Sequence, residues 1–457
     1  MNIRRQTWID HWAPDDPQFW LREGKRIAWR NLAWSIFAEH LGFSVWLIWS
    51  VVATRLPRAG FTYTTDQLFQ LVALPGLVGA LMRFPYTFAV PRFGGRNWTV
   101  VSALLLLVPT LSLIALVQRP DTPFWLMSLV AATAGLGGGN FASSMANISF
   151  FFPDREKGFA LGLNAAGGNI GVSSVQLLVP IAVGYTLLPG EGAGGLHLEN
   201  AGLIWVPFIL LSAVGAWLFM DNLSSARSNF RDQLVLARRS HTWIMSWLYI
   251  GTFGSFVGFS AAFPLLLKTQ FPDVTANLAF LGPLVGSIAR PIGGKLSDRI
   301  GGAKLTYWNF IAMTLAALCL IWALSVKSFP LFLATFLVLF VATGIGNGST
   351  FRMIPIIFRA FHLRRADGRG PGAQAEALQA ARRETAAVIG VVAAIGALGG
   401  YFIPRGFGAS IQATGEPLLA LACFVAFYVT CVATTWWCYT RTSLLSQRLP
   451  SLASARA

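Results

Sequence analysis

The sequence has little charge for its length. Charged residues make up 12% of the 457 positions, whereas hydrophobic residues make up 54%. A soluble chain of this size needs more polar surface than that composition supplies. The composition therefore excludes a soluble globular protein and indicates an integral membrane protein.

Acidic residues are especially scarce, with 19 Asp and Glu against 35 Lys and Arg. All four cysteines fall in apolar runs, and their spacing suggests neither a disulfide framework nor a metal site. The sequence also has no nucleotide-binding loop and no catalytic constellation. We therefore expect no enzymatic activity, no cofactor and no metal.

Apolar runs of about 20 residues, the length that crosses the hydrocarbon of a bilayer, recur along the chain. We predict an all-α membrane protein with twelve transmembrane helices in two pseudo-symmetric six-helix halves. The predicted spans are Asn31–Ala53, Gln67–Phe88, Trp98–Val117, Phe124–Phe150, Gly158–Tyr185, Gly202–Phe219, Trp243–Leu267, Asn277–Leu296, Leu305–Val326, Leu331–Phe358, Thr385–Ile403 and Leu418–Trp437.

The regions between and around these spans complete the predicted domain organisation. Residues 1–30 are rich in Trp and basic residues, which predicts an amphipathic helix along the cytoplasmic membrane interface. The other predicted regions are the first half at 31–221, a cytoplasmic linker at 222–242, the second half at 243–440 with a helical cytoplasmic insertion at 359–384, and a cytoplasmic tail at 441–457.

The basic residues are distributed unevenly between the two sides of the membrane. With both termini cytoplasmic, 26 Lys and Arg fall in inside segments and 6 in outside loops. This positive-inside bias sets the orientation of a multi-pass protein of the cell inner membrane. It also explains the net charge of +16 without a nucleic-acid partner.

Arg83 lies inside an apolar run, in LVGALMRFPYTFAVPRFGG from Leu77 to Gly95. A similar pattern recurs 207 residues later and places Arg290 at the equivalent position. A guanidinium that reaches the interface by snorkelling is the alternative interpretation. We favour a buried pair, because equivalent positions of two repeats face each other near the bilayer midplane, where two guanidiniums would form an anion site.

The segment GLGGGNFASSMANISFFFP, from Gly135 to Pro153, is unusually rich in small residues and amides. Small residues let helices approach closely, and each buried Asn offers two N–H donors to an anion. At the same offset of 207, Gly137, Gly139 and Asn140 correspond to Gly344, Gly346 and Asn347 in GIGNGSTFRMIP. The repeat therefore extends to this segment.

Two further groups of residues leave alternatives open. Glu39 and His40 in the first span could relay protons, or could lie in a wet vestibule near the cytoplasmic end, which we favour. Tyr249 and Phe253 share one helix face and could form a wall against a flat ligand, although aromatic residues more often serve helix packing.

The loop after the eighth span matches G-x-x-x-D-R-x-G, the loop signature of the major facilitator superfamily. The equivalent loop after the second span lacks the aspartate. By resemblance to that family, Asp298 and Arg299 form a conformational lock at the cytoplasmic side.

The two long motifs, together with AGGNIGVSSVQLLVP, GALMRFPYTF and WLYIGTFGSFVGF, resemble the nitrate/nitrite porter (NarK-type) family of the major facilitator superfamily. The resemblance implies that Arg83 and Arg290 grip the anion. It implies that Asn169 donates to the anion, and that Phe141, Tyr249 and Phe253 sandwich it. The glycines of these motifs would let the helices bend and slide: Gly137, Gly139, Gly168, Gly344 and Gly346.

The expected function is nitrate/nitrite antiport by alternating access. Two unneutralised arginines make an empty site costly to occlude, and a bound anion removes part of that cost. Nitrate/proton symport is the alternative if Glu39 or His40 titrates. We expect a functional monomer in contact with membrane lipids.

Overall fold

Twelve long helices dominate the computed structural model, which describes residues 8–187, 195–226, 239–366 and 370–441. In chain order they are α1 (Pro17–Val52), α2 (Thr65–Phe93), α3 (Gly95–Leu116), α4 (Phe124–Thr133 followed by Leu136–Phe151), α5 (Asp154–Ala182), α6 (Asn200–Phe219), α7 (Ser240–Gln270), α8 (Leu281–Ile300), α9 (Gly302–Ser325), α10 (Phe329–Ala366), α11 (Pro371–Gly396 followed by Gly399–Thr414) and α12 (Leu418–Thr440). Ten helices in the described ranges are long and apolar enough to cross a membrane. The other two, α4 and α8, lie at the predicted fourth and eighth spans.

Local sequence sets the ends of these helices. Thr64 and Gln67 form a reciprocal capping box that begins α2. Gly94 ends α2 with a φ of 86°, and Gly301, 207 residues later, follows α8 with a φ of 92°. Residues that carry a side chain rarely adopt such φ angles, so both places require glycine. The two loops therefore share a backbone conformation at equivalent positions of the internal repeat.

The helices belong to two units. The first comprises Met1–Phe230 and Thr275–Phe280, and the second comprises Arg231–Val274 and Leu281–Ala457. The first unit contains α1 to α6, and the second contains α7 to α12. Residues 227–238 of the predicted linker and 442–457 of the predicted tail lie outside the described residues.

The N-terminal segment, Trp8–Gly24, is packed against the helix ends of the first unit. Its strand β1 (Trp8–Ile9) pairs in parallel with β2 (Asn222–Leu223), which follows α6. Trp12 Nε1 donates to the Phe150 carbonyl at 3.0 Å. Trp20 Nε1 donates to Glu156 Oε1 at 3.1 Å. The segment therefore connects residues from the ends of α4, α5 and α6.

This arrangement corrects the expectation of a first span that begins at Asn31, and the interfacial position of residues 1–30 stays a prediction. Helix α1 begins at Pro17, and the Trp20 side chain is buried. Trp20 belongs to a hydrophobic cluster that includes Leu32, Ile148 and Phe152. The aromatic residues of the segment thus cover an apolar surface of the protein itself.

Three boundaries in the second unit also differ from the prediction. Helix α10 continues beyond Phe358 to Ala366, and α11 begins at Pro371, so the predicted insertion at 359–384 consists largely of extensions of these two helices. The last part of α11 ends at Thr414 instead of Ile403. Arg405, which lies beyond the predicted end of this span, is a half-buried helical residue. A charged residue is a weak marker of a helix end when its neighbours remain apolar.

Candidate functional site

Arg83 on α2 is fully buried in the first unit. Its Nε donates to the Gly138 carbonyl on α4 at 3.1 Å. Its Cζ lies 4.6 Å from the ring centroid of Phe141 and 5.3 Å from the Trp46 ring. None of these three groups is an anion, so they orient the guanidinium without cancelling its charge.

Glycines create the space for this arrangement. A Cβ at Gly79 would lie 2.4 Å from Trp46 Nε1, and one at Gly138 would lie 2.7 Å from the Trp46 ring. Such contacts are far inside van der Waals distance. Trp46 Nε1 also donates to the Pro75 carbonyl at 2.7 Å, which fixes the indole. Trp46 is a neighbour of Arg83 that the sequence analysis did not find.

The predicted anion ligand Asn169 lies on α5, and its side chain is fully buried. Neither atom of its amide has a hydrogen-bond partner among the described residues. The same is true of Asn140 on α4. A buried amide without partners is energetically costly, and its N–H groups remain available to donate to an anion.

Glu39 and His40 have different surroundings. The Glu39 side chain is fully buried, and its Oε2 accepts from Ser144 Oγ at 2.5 Å and from Asn164 Nδ2 at 2.7 Å. His40 is half-buried, with Nδ1 3.2 Å from the Gly167 carbonyl. The favoured interpretation of a wet vestibule is therefore wrong for Glu39.

Arg290 on α8 is buried in the second unit, and its Cζ lies 5.8 Å from the ring centroid of Phe351 on α10. Phe351 is not among the predicted site residues. It follows Asn347 by one helical turn, and that spacing could have indicated a shared face. Both amide atoms of the buried Asn347 lack a hydrogen-bond partner in the described ranges, as at the equivalent Asn140.

Tyr249 and Phe253 on α7 are fully buried and stacked, with ring centroids 5.3 Å apart and an interplanar angle of 19°. A π-helical turn at Ile250–Gly254 follows Tyr249. Such turns are frequent at functional sites. The two predicted aromatic residues therefore form one continuous apolar surface in the second unit.

The remaining predicted residues serve close packing or lie at a helix end. A Cβ at Gly137 would lie 2.2 Å from the Gly42 carbonyl oxygen, and one at Gly344 would lie 2.1 Å from that of Gly286. The other predicted glycines are also crowded: Gly139 by Tyr86, Gly168 by Glu39, and Gly346 by Asn309 and Thr252. These contacts explain the glycines as sites of helix approach, and their bending and sliding stays a prediction.

At the end of α8, Asp298 Oδ1 accepts from Arg352 Nε on α10 at 2.6 Å. Both side chains are about half exposed. The adjacent Arg299 is exposed. The predicted lock therefore contains an ion pair between two helices of the second unit, and Arg352 is its basic member.

Comparison with known proteins gives a consistent result. A family model described as Major Facilitator Superfamily matches residues 32–372. The nitrate/nitrite transporter NarU of Escherichia coli K12 is 46% identical over 442 residues, covering 94% of this chain and 96% of NarU. The probable nitrate/nitrite antiporter NarK2 of Thermus thermophilus is 39% identical, with 95% and 97% of the two chains covered.

Solved structures support the fold. The xylose transporter XylE of E. coli matches with a TM-score of 0.63 at 11% identity, covering 90% of this chain and 98% of XylE. The prediction of an all-α membrane protein with the major facilitator fold is confirmed, and the chain is a transporter and not an enzyme. On this sequence and structural similarity, the chain belongs to the nitrate/nitrite porter family of the major facilitator superfamily.

Proposed function

We propose that this transporter exchanges external nitrate for internal nitrite by rocker-switch alternating access, at a central site built on Arg83 and Arg290. The observation that carries the proposal is the fully buried guanidinium of Arg83 beside the Phe141 and Trp46 rings. A buried guanidinium attracts a monovalent anion, because an anion lowers the cost of keeping its charge away from water.

The chemistry of the first unit suits a flat oxyanion. A guanidinium is planar and donates two parallel hydrogen bonds, so it matches a planar oxyanion better than an ammonium does. Aromatic faces accommodate a flat ion more readily than tetrahedral phosphate or sulfate. The buried amide of Asn169 adds donors, since it has no hydrogen-bond partner in the described part of the chain.

The second unit contributes a comparable set by sequence equivalence. Arg290 occupies the position of Arg83 in the repeat, and Asn347 occupies that of Asn140. The stacked rings of Tyr249 and Phe253 supply the aromatic surface that Phe141 supplies in the first unit. We propose that these groups bind the same anion as Arg83 does.

Exchange follows from the charge of the site. Closing a site that contains two buried guanidiniums is costly when no anion is bound, so the loaded carrier crosses more readily than the empty one. The names of the relatives agree with this assignment: NarK2 of T. thermophilus is a probable nitrate/nitrite antiporter, and the Bacillus subtilis relative, 26% identical, is a nitrite extrusion protein.

We also propose the cellular setting. The positive-inside distribution supports a multi-pass protein of the cell inner membrane with both termini cytoplasmic. Two six-helix halves suffice for one transport path, so the functional unit is a monomer surrounded by lipids and needs no nucleic acid. Net direction follows from the nitrate and nitrite gradients.

The test measures the uptake of isotope-labelled nitrate into proteoliposomes with equal pH on both sides of the membrane. We expect internal nitrite to raise the initial rate at least about tenfold over anion-free vesicles, because the loaded carrier returns faster. Arg83→Lys keeps the charge and loses the planar fork, so it should raise the KM for nitrate at least about tenfold. Arg119→Lys, at an exposed arginine, is the matched control.

Two results would contradict the proposal. Equal uptake rates with and without internal nitrite would exclude exchange as the main mode. Phosphate that competes as well as nitrite for Arg83-dependent uptake would reject the selectivity argument. Nitrate/proton symport is the second candidate, and the buried carboxyl of Glu39 favours it.

A further inference from the structure

The loop that follows α1 contains two arginines and no acidic residue. Residues 53–64 connect α1 to α2, and Arg55 and Arg58 are their only charged side chains. Arg55 is half-buried and Arg58 is exposed. In the proposed orientation, with both termini cytoplasmic, this loop lies outside the membrane. It therefore places two positive charges at the external surface.

The guanidinium of Arg55 is held by neutral oxygens. Its Nη1 donates to Thr54 Oγ1 at 3.0 Å, and its Nη2 donates to Asn277 Oδ1 at 3.3 Å. Asn277 belongs to the segment Thr275–Phe280, which is part of the first unit. A guanidinium has five N–H donors, so these two bonds leave three donors for a ligand. They orient Arg55 without cancelling its charge.

Neither arginine has a carboxylate partner. In the described ranges, Arg55 and Arg58 form no ion pair, whereas Lys327 of another outside loop lies 3.9 Å from Glu416. Burial and the like charge of Arg58 both lower the pKa of Arg55. The guanidinium still keeps its proton at neutral pH. An anion beside these two charges would remove part of their repulsion, so the pair attracts anions.

Helix α1 connects this loop with the proposed central site. Trp46 on α1 lies beside Arg83, and Arg55 follows Trp46 by nine residues. The Arg55 N–H still donates to the Val52 carbonyl at 2.9 Å, so helical turns continue to this point. At 1.5 Å per residue, the separation along the helix axis is about 14 Å. That distance is about half the thickness of the hydrocarbon layer.

One polar group lies between these two positions on α1. Trp49 is buried, and its Nε1 has no hydrogen-bond partner among the described residues. Buried N–H groups are normally paired. The indole N–H of Trp49 therefore remains available to donate to an anion that moves along α1.

We infer that Arg55 and Arg58 form an outer binding site, which captures a small monovalent oxyanion from the external solution before the anion reaches Arg83. The inference rests on the proposed function for the orientation of the chain and the identity of the anion. Arg55 donates hydrogen bonds to the oxyanion. Arg58 adds an exposed positive charge that raises the local concentration of anions.

The experiment compares the KM for external isotope-labelled nitrate between variants in proteoliposomes. Arg55→Gln should raise the KM about fivefold at low ionic strength and leave the maximal rate within about twofold. Potassium gluconate at about 0.5 M should reduce this difference to less than about twofold, because salt screens surface charges. Arg58→Gln should raise the KM about twofold, since its charge is more exposed to water. Arg119→Gln, which removes an exposed arginine from another outside loop, is the matched control and should leave the KM unchanged.

Chemical modification of Arg55→Cys separates the loss of charge from a folding defect. The membrane-impermeant, positively charged reagent MTSET, added outside, restores a cation at this position and should recover at least half of the lost affinity. The neutral reagent MMTS should recover none of it. Wild-type protein treated with MTSET controls for the exposed native cysteines, Cys319 and Cys423.

Three results would overturn the outer site: an unchanged KM in Arg55→Gln, an equal rise of the KM in Arg119→Gln, which indicates a diffuse surface field, or recovery of Arg55→Cys by the neutral reagent. Each would leave the exchange proposal intact, because exchange is judged by the effect of internal nitrite on the wild type. If internal nitrite has no effect, exchange is rejected. The comparison of KM values still decides the outer site in that case, since it requires only uptake of external nitrate.

Discussion

Gly168 lies where the Glu39 carboxyl leaves no room for a side chain, with the position of a Cβ only 2.5 Å from Glu39 Oε1 and 2.7 Å from Glu39 Cγ. Helices α1 and α5 therefore approach each other here at a distance that only glycine at residue 168 allows.

We expect Gly168→Ala to destabilise the protein by about 1–3 kcal/mol, because the new methyl forces either the carboxyl or the helix to move. Thermal unfolding of the purified protein measures the effect. Gly162→Ala on the same helix is the control, since a Cβ there meets nothing within 4 Å. If the clash is the cause, Glu39→Ala should recover part of the loss in the double variant. Equal stability of the two glycine variants would contradict this explanation.

Phe141→Leu tests the ring beside Arg83. Cation–π contacts contribute about 0.5–2 kcal/mol, so the KM for nitrate should rise about 2- to 30-fold if the oriented guanidinium binds the anion. Phe332→Leu is the matched control, because Phe332 is equally buried and packs among other phenylalanines of the second unit. An unchanged KM in Phe141→Leu would separate the ring from anion binding.

Charge reversal tests the ion pair of Asp298 and Arg352. Each single reversal should lower the maximal uptake rate several-fold, and the double reversal should restore it. Because both side chains are half exposed, the pair contributes at most about 1 kcal/mol to stability, and the melting temperature should change little. Reversing the exposed pair of Lys327 and Glu416 is the control. Failure of the double variant to recover uptake would argue against a lock that depends on this pair.

Gly344→Ala tests close helix approach in the second unit. The added Cβ would lie 2.1 Å from the Gly286 carbonyl oxygen, and backbone cannot yield as a flexible side chain does. We expect a loss of about 2 kcal/mol or more, or failure to fold, measured by thermal unfolding and membrane yield. Gly294→Ala on α8 should be tolerated, since a Cβ at that position meets nothing within 4 Å.

The sequence was sufficient to predict the fold, and it singled out several residues that the structure places near one another. Apolar runs mark helices that cross a membrane, so each of the twelve helices overlaps a predicted span, although the ends of α1, α10 and α11 differ. Arg83 was identified because a charged residue in an apolar run is energetically costly, and the internal repeat identified Arg290 as its equivalent. Phe141 followed from resemblance, and it does lie beside Arg83.

Other features depend on residues that are distant in sequence. The burial of Glu39 requires Ser144 and Asn164 from two other helices, and no local pattern around Glu39 contains that information. Trp46 reaches Arg83 only because glycines on α2 and α4 make space for its indole. Residues 359–384 were predicted to be helical, but their continuity with α10 and α11 was not, because hydropathy does not register a helix that continues beyond its apolar run.

The N-terminal segment has a practical consequence for labelling. Residues Trp8–Gly24 hydrogen-bond to or pack against residues from the ends of α4, α5 and α6. The segment therefore connects these helix ends to one another. A fluorophore or epitope inserted in this segment would break some of these contacts, so its signal would come from a perturbed protein. Spectroscopic probes of transport are better placed at exposed positions outside this segment, such as Trp125 or Trp322.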